Sequence, residues 1–467
     1  MKGIVIAIFF TAIMMMPISA AAIQNNNGGV NHVELFSANG LMHNNSSLRS
    51  ILYFNNPGRM IPIEKQLNKF NVDFQSGKKY IDVYGNMPTI LLRQLKSEAS
   101  ASGFNLLNGS AGPQASPMMC YNATYQNTGG PAYVPQNIWN AYNVTNYSTR
   151  YGGYGQTVAI VDAYGDPFLT YDLSVFDHTN NLLPANVSIY EPLGPMVQTN
   201  FSWSIETSTD VEWTHAMAQR ANILLVLVPS ASSQFLQEAI NLTVQNRMAN
   251  VISLSWGVSE SGMLPGLLSD YSNTFKQAAI KNISVVAASG DGGAFNGGKS
   301  LTVNFPASSP YVTAVGGTTL NALDGKFSQT AWGGGSGQNS YGSGGGFSSV
   351  FTAPKWQNPY GYNNTMRGVP DVSLDANKQT GVIVYDNNFN FTVGGTSIAA
   401  PMWAGMIAIL NQIDGRNLGF INPLLYQISR TDYYGKEIDD FFCSIIRECS
   451  EENGGSPYAS TMATVCP

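Results

Sequence analysis

The stretch QTVAIVDA, residues 156–163, is a short β-branched run that closes on an acid and a small residue. Similar apolar runs follow at 222–229, 250–257, 283–291 and 311–318. Helix-like stretches separate several of them, at 204–221, 233–247 and 266–281. Apolar strands that alternate with helices are typical of a mostly parallel sheet covered on both faces. The pattern predicts an α/β fold whose ligand site lies beyond the carboxyl ends of the strands.

The part of the chain ahead of this pattern has a different character. Residues 1–22 combine a lysine, an apolar stretch and small residues, which predicts a secretory signal peptide, with an uncleaved membrane anchor as the alternative. Residues 23–125 are polar and predict a small α+β unit that ends in a linker rich in Gly, Ser and Pro. The main domain is then 126–467. We expect a secreted, extracellular protein.

Composition excludes some partners. Charged residues make up 11% of the chain, and the formal net charge is −6 at pH 7. Because no basic excess exists, we expect no nucleic-acid partner. No later apolar run reaches the roughly 18 residues that a spanning helix needs, so we expect no membrane contact after signal cleavage. We also expect a monomer. A surface with few charges would also tolerate acid pH, at which carboxylates become protonated.

Cysteines and asparagines fit an exported chain. The cysteines are Cys120, Cys443, Cys449 and Cys466. They form no Cys-x-x-Cys pattern and do not have zinc-site spacing, whereas a disulfide among the last three suits an extracellular protein. Asn-x-Ser/Thr sequences are candidate glycosylation sites, among them Asn108, Asn143, Asn186, Asn241 and Asn390.

The glycine-rich segment 332–351 has no predicted strand before it and no phosphate-loop lysine. A dinucleotide-binding role is therefore not expected. Two interpretations stay open for this segment. It is either a flexible surface loop or a loop that lets a substrate backbone approach closely.

GGTSIAAP, residues 394–401, places Ser397 among small residues at the predicted start of a helix. A serine hydroxyl is a poor nucleophile until a base takes its proton. His215 with Asp162 is one candidate pair, because Asp, His and Ser in that chain order form a known triad. The sequence around His215 lacks the small residues expected at the start of a triad helix.

A second candidate base lies upstream on the same predicted helix. Glu206 and Asp210 are four residues apart and therefore share one helix face. His215 lies nine residues from Glu206, or about 900° around the helix, and points to the opposite side. One helix cannot easily present both groups to one serine. The alternative for the two acids is a solvated face near a helix start.

A third acid, Asp291, follows a predicted buried strand and lies among glycines. An acid there would face the crevice at the carboxyl end of the sheet. Its alternative is a turn aspartate that caps the next segment. Three acids and one serine at strand and helix ends form a coherent site.

These motifs, in this order, resemble the sedolisin (serine-carboxyl peptidase) family, in the form of a pro-kumamolisin-like precursor. The matching motifs are Glu-x-x-x-Asp at Glu206/Asp210, SGD at 289–291 and GGTS at 394–397. Between them lie SLSWG (253–257), FPASSPYVTAVGGT (305–318), GGGFS (344–348) and RGVPDVSLDA (367–376). The resemblance covers about residues 130–430. It implies a subtilisin-like fold preceded by a small α+β prodomain.

The resemblance also implies a role for each residue. Ser397 would be the nucleophile, Glu206 the general base, Asp210 the acid that orients it, and Asp291 the acid in the oxyanion hole. Glutamate, with a reference pKa of about 4.3, can accept a proton at a pH where histidine is already charged. Asp291 would have to be protonated in order to donate a hydrogen bond. The chemistry therefore predicts an optimum below about pH 5.

Other family features follow from the same resemblance. The residues expected to pair with the backbone of a polypeptide substrate are Ser255, Trp256 and Gly257. The region 23–125 would be a propeptide that inhibits the site of its own chain, with cleavage at about residues 112–130. The family's calcium motif is incomplete here, with Asp439 or Asp440 as the first ligand. Calcium needs roughly six to eight oxygen ligands.

The leading hypothesis is a secreted endopeptidase that acts in acid, and three alternatives stay open. The first is a tripeptidyl peptidase on the same scaffold. The second is a subtilisin-type protease that uses Asp162, His215 and Ser397, with a neutral or alkaline optimum because its histidine must be unprotonated. The third is an inactive relative that keeps the fold as a surface or binding protein.

Overall fold

A computed structural model describes most of the main domain and parts of the region before it. The described residues are 132–196, 199–296, 298–323, 326–334, 341–357 and 365–428, with shorter stretches between 49 and 122. All of them belong to one unit that begins at Ser47. The predicted signal peptide lies outside the described residues, and so does the chain after 428, with Asp439, Asp440 and the last three cysteines.

The first described elements form a small α+β unit, in agreement with the sequence. They are β1 (Arg49–Phe54), α1 (Met60–Lys69), β2 (Phe74–Ser76), β3 (Tyr80–Tyr84) and β4 (Phe104–Asn108). The strands form an antiparallel sheet in the order β2-β3-β1-β4. The α1 helix buries apolar residues at a spacing of three or four, which places them on one face. These residues share a core with two residues of β3, and together they are Met60, Ile63, Leu67, Ile81 and Val83.

Two short strands and the main domain follow. The strands between the units are β5 (Ser116–Pro117) and β6 (Cys120–Asn122). The helices of the main domain are α2 (Pro135–Ala141), α3 (Thr145–Arg150), α4 (Leu169–Thr179), α5 (Phe201–Met217), α6 (Ser233–Gln245), α7 (Pro265–Ile280), α8 (Thr396–Asp414) and α9 (Asn422–Ile428). Its strands are β7 (Thr157–Ala163), β8 (Asn186–Tyr190), β9 (Asn222–Val228), β10 (Val251–Leu254), β11 (Trp256–Ser259), β12 (Ser284–Ala288), β13 (Asn304–Phe305), β14 (Thr313–Leu323), β15 (Lys326–Ala331), β16 (Gly333–Gly334), β17 (Tyr341–Gly342), β18 (Gly346–Thr352), β19 (Met366–Val369), β20 (Val372–Asp375), β21 (Val382–Asp386) and β22 (Phe389–Gly394).

The central sheet has the order β15-β14-β12-β10-β7-β9-β8, with β20 also paired to β14. Every pairing in it is parallel except that of β14 with β15. The strands β7, β9, β10 and β12 are buried along almost their whole length, because helices cover both faces. The predicted α/β fold with a mostly parallel sheet is confirmed.

The helix that begins beside Ser397, α8, is buried for most of its length and packs closely on α5. A Cβ at Gly405 would come within 2.8 Å of Met217 Cβ and 3.0 Å of the Thr214 carbonyl oxygen. Only glycine allows the two helices to come this close. The sequence of α8 thereby brings the predicted nucleophile helix against the helix of the predicted base. In the described part of the chain, no helix is both long and apolar enough to cross a membrane.

Candidate active site

Ser397 lies at the start of α8, directly after a backbone reversal. Gly395 precedes the helix with φ 114°, a conformation that side-chain-bearing residues rarely adopt. Further along, Pro401 has no N–H to donate to the Ser397 carbonyl oxygen. The hydroxyl of Ser255 lies 3.4 Å from that oxygen. The Ser397 hydroxyl donates to the backbone oxygen of Ser255 at 2.9 Å.

The α5 helix carries the predicted base and is buried on every side. All its residues from Trp203 to Met217 are buried, although the helix is rich in polar and acidic side chains. The solvated-face alternative for Glu206 and Asp210 is therefore wrong, since both are 0% exposed. Buried acids are costly unless they are paired or serve a function, and such strongly perturbed groups cluster at functional sites.

Glu206, Asp210 and Ser397 are brought together as the helix-face argument predicted. The Ser397 hydroxyl lowers the pKa of Glu206, while burial and the charges of neighbouring acids raise it well above its ordinary value. In the resting geometry, however, the serine hydroxyl donates to Ser255 and not to Glu206. The Ser255 hydroxyl in turn donates to Asp210 Oδ1 at 2.6 Å. Ser255 thus links the nucleophile to the second acid.

Asp162 joins Glu206 and Asp210 in a cluster that we call the carboxyl trio. Its carboxyl is completely buried, and burial raises its pKa to about 7. The Asp162 charge also raises the pKa of both Glu206 and Asp210, which burial has already raised. Like charges this close cannot all ionise at neutral pH, so the trio titrates as one coupled unit that holds protons.

Asp291 lies just beyond the end of β12, beside the nucleophile. Its Oδ1 accepts hydrogen bonds from the Thr396 backbone N–H at 2.8 Å and from the Thr396 hydroxyl at 3.0 Å. Thr396 is 105 positions away and immediately precedes Ser397. Asp291 therefore caps the nucleophile helix.

The glycine-rich segment 332–351 contacts the chain that carries Asp291. The Gly342 N–H donates to the Asp291 carbonyl oxygen at 2.9 Å. The Gly344 N–H donates to the Gly290 carbonyl oxygen at 2.6 Å. This described part of the segment is a backbone support for the acid, so it does not behave as a free surface loop.

His215 points away from Ser397, as its position on the helix predicted. Its Nε2 lies 2.7 Å from the Leu183 carbonyl oxygen and 3.3 Å from Asp177 Oδ1. Burial lowers its pKa to about 4, so the ring is neutral near pH 7. The alternative triad of Asp162, His215 and Ser397 is not assembled.

The residues predicted to pair with substrate backbone already pair with a strand of their own chain. Trp256 lies opposite Pro117, and Gly257 opposite Ser116, where β11 and β5 run antiparallel. The Trp256 indole donates to the Val161 carbonyl oxygen at 2.7 Å. Because this ring is buried, Trp256 presents its backbone and not its side chain to the paired strand.

The chain after β5 pairs with the main domain again. The β6 strand pairs antiparallel with β22, with Cys120 opposite Gly394. Upstream, the Ala115 N–H donates to the Ala231 carbonyl oxygen at 2.7 Å. Residues 114–117 thus pair with the main domain next to Ser255, and residues 120–122 pair with it up to Gly394, three positions before Ser397. We call these two described stretches the linker strand.

Sequence reasoning missed the place of Asp162 in the carboxyl trio, since it considered this acid only as a partner of His215. The signal that could have found it is its position. Asp162 comes near the end of a buried parallel strand, at the edge of the sheet where ligand sites form. The predicted metal ligand Asp440 lies outside the described residues.

Comparisons with known proteins find similar sequences and structures. A family model described as the subtilase family matches residues 200–418. Kumamolisin of Bacillus sp. (strain MN-32) is 32% identical over 330 residues, which cover 66% of this chain and 57% of that protein. Sedolisin of Pseudomonas sp. (strain 101) is 29% identical over 56% of this chain and 48% of its own length. Tripeptidyl-peptidase 1 of Dictyostelium discoideum is 30% identical over 65% of this chain and 51% of its own length. The chain therefore spans about half the length of these relatives.

Among solved structures, Pseudomonas sedolisin, described as a serine-carboxyl proteinase, superposes with a TM-score of 0.57 and 28% identity. The match covers 64% of this chain and 86% of that one. The match of the subtilase family model, residues 200–418, includes the helix of Glu206 and Asp210, the strand before Asp291 and the Ser397 helix. On the ordered motifs, the fold and these relatives together, the chain is similar to the sedolisin family.

Proposed function

We propose that this chain is the precursor of a secreted serine-carboxyl endopeptidase that hydrolyses peptide bonds in acid. One observation carries the proposal: Ser397 lies beside a buried trio of carboxyls, with an extended polypeptide strand paired next to Ser255 and up to Gly394. The similarity to this family supports the same activity. The signal-like residues 1–22 support export.

The proposed reaction has two halves, and Glu206 moves protons in both. Ser397 Oγ attacks the carbonyl carbon of the scissile bond while Glu206 takes its proton. A protonated Asp291 donates a hydrogen bond to the oxygen that becomes negative. Glu206 then gives its proton to the leaving amine, which breaks the C–N bond and leaves an ester on Ser397. Water, deprotonated by Glu206, hydrolyses that ester and restores the serine.

The carboxyl trio sets the pH range of this chemistry. The trio loses its first proton most easily, because each later ionisation would place a second negative charge beside the first. One negative charge is enough for Glu206 to act as base, while Asp210 keeps its proton and supports it. At higher pH the trio gains further charge, and an ionised Asp291 has no proton to donate. We expect activity to fall between about pH 5 and pH 8 for both reasons.

The linker strand favours an endopeptidase over a tripeptidyl peptidase. Gln114 bridges to Ser232, and Ala115 bonds to Ala231, upstream of the pairing with β11. The cleft therefore accepts chain well beyond the third residue before the cleaved bond. An enzyme that releases tripeptides would need the cleft to close after three residues.

Digestion of a mixed peptide library, read by mass spectrometry from pH 2 to pH 9, tests the function directly. We expect internal cleavages, an optimum below about pH 5, and equal cleavage of acetylated and free peptides. Release of tripeptides from free N-termini alone would favour the exopeptidase. Activity that climbs steadily into the alkaline range would contradict a carboxyl base.

The linker strand also predicts where the precursor is cut. Pro117 is paired opposite Trp256, next to Ser255, and Cys120 opposite Gly394, three positions before Ser397. The two residues between them in the sequence are Met118 and Met119. We expect the precursor to be cut at the Met118–Met119 bond, within the linker predicted for cleavage.

Acidification of the purified precursor should therefore produce a mature N-terminus at Met119. Edman sequencing or intact-mass measurement reads this end directly, and the Ser397→Ala precursor is the uncleaved control. Substitution of Pro for Met119, which removes the backbone N–H after the scissile carbonyl, should slow the cut at this bond. A first cut elsewhere in residues 112–130 would contradict this register while leaving the peptidase proposal intact.

A further inference from the structure

The face of α5 opposite Glu206 carries a second group of buried acids, separate from the carboxyl trio. Asp166, Asp172 and Asp386 each offer an oxygen atom, and these atoms lie within 4.8 Å of one another. The three residues come from the loop after β7, from α4 and from the end of β21. All three are buried. We call them the acid cluster.

Some carboxylate oxygens of this cluster already accept hydrogen bonds from neighbouring groups. Asp386 Oδ1 accepts hydrogen bonds from the hydroxyls of Ser204 at 2.9 Å and Ser208 at 3.2 Å. Ser208 also donates to Asp166 Oδ2 at 3.1 Å. Asp172 Oδ2 accepts from the Asn387 backbone N–H at 2.8 Å. These bonds hold the three carboxyls in place.

The remaining oxygens are buried and lack a hydrogen-bond partner. They are Asp172 Oδ1 and Asp386 Oδ2 within the cluster, and Glu212 Oε1 beside it. Glu212 is 0% exposed, and its other oxygen accepts from the Tyr385 N–H at 3.0 Å, one residue before Asp386. With four residues per step, Ser204, Ser208 and Glu212 follow one face of α5, the face whose serine hydroxyls bond to Asp386 and Asp166.

Nothing of opposite charge compensates this group in the described residues. The ion pairs there are those of His215 with Asp177, Arg367 with Asp371 and Arg416 with Asp414, and none includes the acid cluster. Buried carboxylates without a counter-charge are costly unless a cation joins them.

We propose that the acid cluster and Glu212 bind one Ca²⁺ ion. Calcium takes six to eight oxygen ligands at about 2.3–2.6 Å, so two oxygens on one ion lie up to about 5 Å apart. The separation within 4.8 Å fits that geometry. Carboxylates and serine hydroxyls are oxygen donors of the kind that calcium prefers.

The ion would join α4, α5 and the end of β21 on the side away from the nucleophile. Its effect on the enzyme is to fix the position of α5, whose other face holds Glu206 and Asp210. This site is distinct from the C-terminal one that the sequence predicts at Asp439 or Asp440. It is also independent of the proposed peptidase activity, because binding can be measured without catalysis.

Calcium titration of the full-length Ser397→Ala precursor at pH 7, by isothermal calorimetry, tests the site. The Asp172→Asn change keeps an oxygen for the Asn387 N–H but removes the charge, so the fold should be retained. We expect it to lose one bound Ca²⁺, or to weaken that site at least about tenfold. Asp386→Asn should act in the same way, and Asp440→Asn should leave this site unchanged.

Thermal unfolding with Ca²⁺ or EDTA gives a second readout on the same variants. The parent precursor should unfold at a higher temperature with Ca²⁺, and Asp172→Asn should lose that part of the shift. If Ca²⁺ does not bind the parent, the proposal is wrong. It is equally wrong if both cluster variants bind Ca²⁺ with the stoichiometry and affinity of the parent, or if Asp440→Asn alone removes all binding.

Discussion

Replacing Glu206 by glutamine is expected to lower kcat by roughly 10³-fold or more, because an amide cannot take the Ser397 proton. Ser397→Ala should be at least as damaging, since it removes the nucleophile. Both positions are completely buried, and glutamine has nearly the shape of glutamate, so the loss at Glu206 should come without unfolding. The measurement is kcat and KM on an internally cleaved peptide at acid pH.

Two controls separate catalysis from structure. Glu238→Gln makes the same exchange at another buried acid, on α6, and should keep activity. His215→Ala removes the ring that contacts Leu183 and Asp177, and should keep most activity per folded molecule. A folded His215 variant as inactive as Ser397→Ala would contradict the carboxyl base and favour a histidine mechanism.

The second large effect is on stability: the protein is expected to unfold at a higher temperature near pH 4 than near pH 7. Burial raises the pKa of Asp162 and of Glu238 to about 7, and that of Glu206, Asp210 and Asp375 well above the ordinary range. Between about pH 4 and 7 the unfolded chain gives up these protons, while the folded chain keeps all of them except the one that leaves the carboxyl trio. Stability is therefore greatest below the unfolded pKa and falls as pH rises.

One group acts in the opposite direction. Burial lowers the pKa of His215 to about 4, so acidification from about 6.5 to 4 protonates this ring in the unfolded chain first and costs stability. The carboxyl groups with a raised pKa together have a larger effect on stability than the one histidine. A change of 1 kcal/mol moves Tm by roughly 2–4 °C in domains of 150–250 residues, so we expect a difference on the order of 10 °C.

Calorimetry of the Ser397→Ala precursor from pH 3.5 to 7.5, at constant ionic strength and with EDTA, measures this effect. EDTA removes any bound divalent cation, so the measured pH dependence comes from the protein's own groups. Glu238→Gln, which cannot ionise, should flatten the dependence, whereas the exposed Glu191→Gln should not. A Tm that rises from pH 4 to pH 7 would overturn the prediction.

The sequence was sufficient for the elements of the fold because their apolar patterns are local. The runs at 156–163 and 222–229 became β7 and β9, and the stretch 233–247 became α6. The nine-residue spacing of Glu206 and His215 placed them on opposite sides of α5, and their contacts agree. Helix pitch is a property of the backbone, so this inference needed no tertiary information.

Other features depended on contacts between distant parts of the chain. Nothing near Asp162 in the sequence indicates that it lies beside Glu206 and Asp210, because the parallel sheet and α5 bring them together. The acid cluster was missed for the same reason, since α4, α5 and β21 meet only in the folded protein. The composition of the linker strand is typical of a loop, and its pairing partners lie far away along the chain.

The sequence by itself indicated the strand and helix pattern, the resemblance to the sedolisin family and the four residues proposed for catalysis, because local periodicity and motif order encode them. Tertiary structure alone decided which acids share protons, where the linker strand lies and how closely α8 packs on α5. Those properties depend on burial and on distances between segments up to about 280 residues apart, which no local pattern specifies.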